Sequence, residues 1–332
     1  MINSAGAYVA RLIRMTARDV AELVDRAAVD GGKRLEGAGI TTLDEWMRMH
    51  QHAGFIYGGV FDQSIDMIER HLRLCDELAE SMAQLLESGP VSASPIVLER
   101  SLGEAIMRIA YTLDPSVPPA RTVLRMAAYQ LDSVEGTLTA ARTFGRYAKE
   151  EETKAMESIK TLHKLLSDAG FERLPDKREP LTATLSLNGQ RENLRFNATD
   201  AYRKYAPSSP WMWEMGSGVT HSRGWMLDGL MPTLRAAPIT SPADVALSVA
   251  TSVVELSDVL ARTAHAHTGT DVDWFLKRNH LRRMGIASSR PGTGAPKIGH
   301  VEYAGRGPEW VPKRGSMGPS FIKARPGEGT PT

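Results

Sequence analysis

The stretch from residue 94 to residue 170 constrains the fold most, because it carries two apolar stripes with helical spacing. Asp114-Pro115 ends the first helix and Pro118-Pro119 begins the second, since proline suits the first turn of a helix and not its interior. A helix running unbroken from there to Gly170 would be on the order of 75 Å long, so we expect a break near Gly145. The stripes comprise Leu98, Leu102, Ile106, Ile109 and Leu113, followed by Leu124, Ala127, Leu131, Val134 and Leu138.

Further segments show the same spacing, so the sequence predicts a mainly α fold, a multi-helix up-and-down bundle. Residues 61–86 form a heptad-like seam, which favours a long partner helix lying along it. The last strong helix begins at Ser241-Pro242, a cap followed by proline, and ends near Gly269. The heptad-like seam contains Phe61, Ile65, Ile68, Leu72, Cys75, Ala79, Met82 and Leu86.

Two regions interrupt the helical pattern. Residues 171–197 are rich in loop formers, but residues 182–187 alternate enough for a short strand, and Asn188-Gly189 is a typical hairpin turn. We therefore expect an irregular insertion with a short hairpin there. Residues 286–332 hold too few apolar side chains to form a core, which predicts a flexible, mildly basic tail after a helical body of residues 1–285.

The composition excludes several classes of protein. A formal net charge of +1 over 332 residues gives no global attraction for nucleic acid, although it leaves room for a local basic groove. The single cysteine, Cys75, excludes an intramolecular disulfide framework, and we expect it to be a small core residue. Arginines interrupt the N-terminal apolar runs and no window approaches a membrane span, so we expect a soluble, cytoplasmic protein without a secretion signal.

The polar faces of the two helices in the first paragraph form one candidate site. Arg100, Glu104 and Arg108 lie opposite the apolar stripe of the first helix. Arg121 and Arg125 lie in the first turns of the second helix. Antiparallel packing would line one groove with these side chains, in which the arginines bind phosphate and Glu104 orients them. The alternative is that the residues of the first helix form i,i+4 ion pairs on a solvated face.

A tryptophan-rich segment carries the second candidate, His221. Glu214, Ser217 and Ser222 lie near it in the sequence, and a histidine in such company can act as a general acid or base. No glycine-framed nucleophile elbow surrounds either serine, so a serine hydrolase is not predicted. The alternative is that His221 is a hydrogen-bonded packing residue under the tryptophans.

A third candidate lies late in the sequence, where four residues separate Arg262 from His267. The same spacing occurs in the ribonuclease motif of HEPN-type helical domains, where arginine and histidine act on the RNA phosphodiester. The alternative is an i,i+4 salt bridge between Asp258 and Arg262. His265 and His267 point to different faces of a helix, so neither a metal site nor a cofactor is predicted.

Four short runs between residues 94 and 228 have an order known from one family: ERSLGEA at 99–105, RTVLR at 121–125, YRKY at 202–205 and SGVTHS at 217–222. In this order the chain resembles a group of bacterial helical proteins described as HEPN-like. The resemblance implies action on RNA or a nucleotide, as in toxins and phage-defence proteins. It also implies a convergence in the bundle interior of Arg100, Glu104, Arg121, Arg125 and His221. The standard HEPN nuclease instead carries its arginine and histidine on a late helix, where this chain has the weakly matching Arg262 and His267.

Two functions follow as hypotheses. In the first, an RNA- or nucleotide-acting HEPN-like protein uses His221, Arg100 and Glu104 as catalytic residues, with Arg121 and Arg125 on phosphate. In the second, a non-enzymatic helical scaffold forms a homodimer through the heptad-like seam and docks a protein partner with its C-terminal tail. Convergence of the five polar residues would favour the first hypothesis, and their separation would remove its site.

Overall fold

The computed structural model describes residues 4–88, 93–143, 145–178, 180–207, 210–231 and 241–289. The predicted mainly α fold is confirmed, because helices dominate these ranges. The helices are α1 (Ser4–Lys33), α2 (Gly39–Met49), α3 (Gln51–Ser88), α4 (Ser94–Thr112), α5 (Pro119–Ala141), α6 (Ala148–Asp168), α7 (Ala198–Tyr205), α8 (Pro210–Thr220), α9 (Gly224–Leu230), α10 (Pro242–Thr268) and α11 (Asp273–Ser288). The strands are β1 (Glu172–Pro175), β2 (Thr182–Leu187) and β3 (Gln190–Asn193).

The core lies between the long helices. Helix α3 packs against α1, α4 and α5, and α10 packs against α1 and α4. Burial of each large apolar side chain in this core contributes about 1.5–3 kcal/mol to folding, before the entropic cost of ordering it. Fully buried examples from five helices are Ile13, Met82, Leu86, Met107, Leu124, Met126, Leu131 and Val254.

The heptad-like seam is buried within a single chain. Ile68, Cys75, Ala79, Met82 and Leu86 are all buried, and the chain's own α1 and α4 lie along α3. Burial raises the pKa of the Cys75 thiol to about 12, so the prediction that this cysteine is a core residue is confirmed. From Ile68 onward the seam packs against this chain's own helices, and the homodimer through it stays a prediction.

The predicted break between α5 and α6 is present. Helix α5 ends at Ala141, a short 3-10 turn covers Gly145–Tyr147, and α6 begins at Ala148 and packs back against α5. Gly145 has φ 58, in the left-handed region that glycine enters without a steric penalty. The chain therefore folds back on itself here and avoids one exposed, very long helix.

The insertion at 171–197 contains a three-stranded antiparallel meander. The predicted strand and turn are confirmed, since β2 pairs with β3 across Asn188 and Gly189, whose φ angles of 50 and 76 suit a type I′ turn. β1 also pairs with β2, and the sequence did not predict it, because Glu172–Pro175 lacks alternation. β2 and β3 pack on α5, which brings β3 next to the corner between α4 and α5.

The C-terminal helix is longer than predicted. Helix α11 continues to Ser288, past the expected boundary at residue 285. From residue 290 onward the predicted tail lies outside the described residues. None of the helices in the described ranges combines the length and apolar character that crossing a membrane requires.

Candidate functional site

Arg121 and Arg125 lie at the corner between α4 and α5, where both bind Glu192 of β3. Their Nε atoms are 3.1 Å and 3.3 Å from Glu192 Oε2. Arg125 Nη1 also donates to the Tyr111 carbonyl at 2.8 Å and lies 3.4 Å from Asp114 Oδ2. We call these five residues the arginine corner. Each of its arginines already binds a carboxylate from its own chain.

Asp114 is the most heavily bonded carboxylate of the arginine corner. Its Oδ2 accepts hydrogen bonds from the Lys204 ammonium and, at 2.7 Å, from the Tyr205 hydroxyl, while the Ser116 hydroxyl donates to Oδ1 at 2.6 Å. Burial alone would raise the pKa of Asp114, but these hydrogen bonds outweigh it and lower the pKa well below its usual range. Asp114 therefore remains ionised and holds α7 against the arginine corner.

The cavity beside the arginine corner is too small for a phosphate-bearing ligand. Its volume is about 20 Å³, enough for a single water molecule. Arg108 and Arg125 line it together with Phe196, whose ring centre lies 4.6 Å from the Arg108 guanidinium carbon. The groove predicted between α4 and α5 therefore exists, but β3 and the segment after it fill the space.

Arg100 lies elsewhere, where α4 meets α7 and α8. Its guanidinium carbon is 4.5 Å from the centre of the Trp213 ring, and the Tyr202 ring lies against the same tryptophan at 5.5 Å. Gly216 allows α8 to approach, because a Cβ there would be 2.6 Å from Arg100 Cβ. Within the described residues Arg100 forms no ion pair, and its buried Nε has no hydrogen-bond partner. We call Arg100, Tyr202, Trp213 and Gly216 the tryptophan junction.

The predicted convergence of five polar residues does not occur. Tyr111, which binds Arg125, follows Arg100 by eleven positions on α4, or roughly 16 Å along the helix. The arginine corner and the tryptophan junction are therefore separate places. Glu104 forms an ion pair with Arg108, whose Nη2 atom lies 3.4 Å from the carboxylate. This is the i,i+4 pair that the alternative interpretation predicted. Arg100 does not join that pair.

His221 lies at the C-terminal end of α8, in a turn that fixes its position. The Arg223 N–H donates to the Gly218 carbonyl at 2.8 Å, and the Ser222 N–H donates to Val219 at 3.0 Å. Ser222 has φ 51, so the turn is a Schellman motif with serine in the left-handed position that glycine usually takes. These hydrogen bonds fix the backbone on both sides of Ser222, and the side chains of His221 and Arg223 are exposed to solvent.

The side chain of His221 is exposed, so the prediction that it packs under the tryptophans is wrong. It follows Gly216 by five residues, which places it about 140° around α8 from the face that contacts Arg100. His221 and Arg100 therefore lie near the same helix but on different flanks of it. A general acid or base facing a phosphate bound at Arg100 is not formed by this pair.

The late pair Arg262 and His267 is also separated. Arg262 is exposed on α10, whereas His267 is only 5% exposed and points about 140° away from it around the helix. Burial, helped by nearby Arg34, lowers the pKa of His267 to about 4. The alternative salt bridge is wrong as well, because Asp258 binds Arg283 of α11. Across the described residues, no three His, Cys, Asp or Glu side chains cluster as metal ligands would.

Glu99, the first residue of the ERSLGEA run, is a buried carboxyl group, and the sequence did not predict its burial. It lies where α4 meets α10 and accepts a hydrogen bond from the Ser252 hydroxyl. Burial raises the pKa of Glu99 to about 7. The folded protein therefore binds more protons than the unfolded chain between pH 4.5 and about 7, and stability falls as the pH rises through this window.

Replacing Glu99 should remove this pH dependence. Glu99→Gln keeps the acceptor for Ser252 but cannot ionise, so we expect the variant to exceed the native protein in unfolding free energy by about 3 kcal/mol at pH 8 and to match it near pH 4.5. Urea unfolding at the two pH values measures the difference. Glu77→Gln, at an exposed position of α3, is the control and should behave alike at both. An equal gain from Glu99→Gln at both pH values would contradict the assignment.

The site residues that the sequence did not predict are contact partners of predicted residues, and they belong to no sequence motif. Glu192 was one charge in a loop-like stretch, and nothing in its spacing links it to Arg121 and Arg125. Trp213 belonged to the tryptophan-rich segment already noted, but its stacking on Arg100 has no local signal. Both pairings depend on tertiary contacts between segments far apart in the chain.

The chain has to be interpreted from its own residues. No protein-family model, no curated protein and no solved structure matches it. The similarity to HEPN-like proteins that four short runs suggest therefore stays a prediction.

Proposed function

We propose that this chain is a HEPN-like protein that acts on RNA or a nucleotide, and that Arg100 binds phosphate. The supporting observation is that Arg100 has no ion-pair partner in the part of the chain the structure describes, whereas Arg108, Arg121 and Arg125 each bind a carboxylate. The buried Nε is enclosed by the protein, so a phosphate would bind the two Nη groups, which are not among the buried unpartnered atoms of the described residues. Stacking on Trp213 holds the guanidinium ready for this contact.

The tryptophan junction supports binding more directly than bond cleavage. Glu104 is engaged with Arg108, and His221 lies on another flank of α8. A toxin or phage-defence nuclease of the expected type would need an acid or base at the phosphate held by Arg100. Because the five predicted residues do not converge, the proposal is limited to phosphate recognition by Arg100 and assigns no cleavage step to His221.

Arg100→Gln should weaken binding of a labelled RNA oligonucleotide by roughly 10- to 100-fold, because a hydrogen-bonded charge contributes about 1.5–3 kcal/mol. Fluorescence anisotropy at fixed ionic strength measures this, since affinity for nucleic acid depends on salt. Arg203→Gln is the matched control, because Arg203 is exposed on neighbouring α7 and pairs locally with Asp200. Equal loss in both variants would mean that only net charge matters, and no loss in Arg100→Gln would remove the proposed site.

The non-enzymatic scaffold keeps little structural support. Its predicted interface, the heptad-like seam, is closed by α1 and α4, and the tail lies outside the described residues from position 290. If the native protein binds neither RNA nor a nucleotide, that result would favour the scaffold hypothesis.

A further inference from the structure

We infer that Trp225 is a base-stacking residue and that the ligand of the proposed site is single-stranded RNA. This inference rests on the proposed function and names its substrate class. It depends on three observations, which are the exposure of Trp225, the unpaired Arg223 and His221 side chains near it in the chain, and its position relative to Arg100 across α8.

Trp225 is an exposed aromatic side chain, and one edge of its indole ring packs against α8. It lies in the first turn of α9 and is 60% exposed, although tryptophan is usually well buried. One edge of the indole packs closely on α8, since a Cβ at Gly218 would be 2.9 Å from Trp225 Cζ2. The neighbouring Met226 is buried and anchors the turn from below, with its Cγ 2.5 Å from the same Cβ position. The ring is therefore held in place while most of its surface faces solvent.

The charges around Trp225 suit a polyanion. His221 and Arg223 lie in the preceding Schellman turn, both are exposed, and neither side chain has an ion pair or hydrogen bond within the described ranges. Glu214 lies two turns earlier on the same face of α8 as His221, and its carboxylate opposes a polyanion there, so Arg223 is the charge that favours binding. An aromatic ring beside unpaired basic groups is the combination by which proteins hold single-stranded nucleic acid.

The distance across α8 distinguishes a strand from a mononucleotide. Arg100 contacts α8 at Gly216 and Trp225 contacts it at Gly218, and two residues correspond to about 200° around the helix. The two contacts therefore lie on opposite flanks of an element roughly 10 Å across with its side chains. A mononucleotide reaches one flank at a time, whereas a strand of a few nucleotides reaches both. A duplex keeps its bases stacked inside and offers none to Trp225.

Binding of three probes to the full chain tests the inference: a single-stranded RNA of about 12 nucleotides, the same sequence as a blunt duplex, and UMP. We expect the single strand to bind at least ten-fold more tightly than either other probe. Trp225→Ala should weaken its binding about ten-fold, while Trp225→Phe retains most of it, because phenylalanine still stacks on a base. Phe55→Ala removes a 95%-exposed aromatic residue from α3 and should leave binding unchanged.

The outcomes separate this inference from the proposed function. If Arg100→Gln weakens RNA binding but Trp225→Ala does not, Trp225 is not a stacking residue and the proposed function stands. If the duplex or UMP binds as tightly as the single strand, the substrate class is wrong. If the native protein binds none of the three probes, both proposals fail. Circular dichroism melting shows whether each variant is folded. If Trp225→Ala does not fold, Trp225→Phe still tests the inference, because it should retain most of the affinity.

Discussion

Gly103→Ala should lower the unfolding free energy by about 3 kcal/mol, at the upper end of what overpacking a core usually costs. Gly103 is buried in α4, and a Cβ at this position would lie 1.6 Å from the Tyr202 hydroxyl oxygen and 2.9 Å from Cζ. The Tyr202 ring cannot withdraw easily, because it is 1% exposed and packs against Trp213. Urea unfolding of the two proteins measures the difference.

A double-mutant cycle identifies the cause of this loss. Tyr202→Phe removes a buried hydroxyl that has no hydrogen-bond partner in the described residues, so it should cost little by itself. Combined with Gly103→Ala, it should recover part of the lost stability, because the closest clash disappears. Gly136→Ala is the control, since a Cβ there meets nothing within 4 Å and alanine suits a helix interior better than glycine. Purely additive effects of the two substitutions would contradict the clash.

Arg125→Met should destabilise the protein by about 3–5 kcal/mol, the usual cost of removing one partner from a buried ion pair. The side chain of Arg125 is 6% exposed, and its loss removes one cation from Glu192, which keeps Arg121 and the Tyr111 hydroxyl, and one from Asp114, which keeps Lys204. Chemical denaturation measures the loss. Arg142→Met is the matched control, because Arg142 forms a solvent-exposed pair with Glu152 and such pairs contribute at most about 1 kcal/mol.

RNA binding should distinguish the arginine corner from the tryptophan junction. Arg125 lies roughly 16 Å along α4 from Arg100, as judged from the Tyr111 carbonyl it binds. We therefore expect the folded fraction of Arg125→Met to bind RNA as the native protein does. A loss of affinity as large as that of Arg100→Gln would mean that the arginine corner takes part in recognition after all.

The fold was predictable where the signal is local. Proline and glycine mark the helix ends at residues 114–119 and at Gly170, and the Ser241 hydroxyl accepts the Asp244 N–H that its cap position requires. The type I′ turn at Asn188 and Gly189 was equally clear, because few residues tolerate two positive φ angles in succession. In each case the residues that carry the signal are neighbours in the chain.

The candidate site was predictable only in part. Helical spacing placed Arg100 and Arg125 on polar faces, but it does not say which carboxylate or ring each guanidinium will meet. Arg125 is buried because β3 supplies Glu192, and Arg100 remains unpaired among the described residues because α8 presents Trp213 instead of an acid. The heptad-like seam has a similar limit, since its periodicity predicts a partner helix without saying whether this partner belongs to the same chain, as α1 and α4 do.

The pairing of Glu192 with two arginines has a consequence for how this sequence can diverge. The meander that carries Glu192 resembles a surface loop, the kind of segment that usually accepts substitutions freely. Replacing Glu192 alone would remove the carboxylate that Arg121 binds and one of the two that Arg125 binds, and replacing Arg125 alone would remove a partner from two carboxylates. Concerted replacement of a buried ion pair by apolar residues is, by contrast, often tolerated. We therefore expect substitutions at positions 125 and 192 to be tolerated better together than singly, although the two residues are 67 positions apart in the chain.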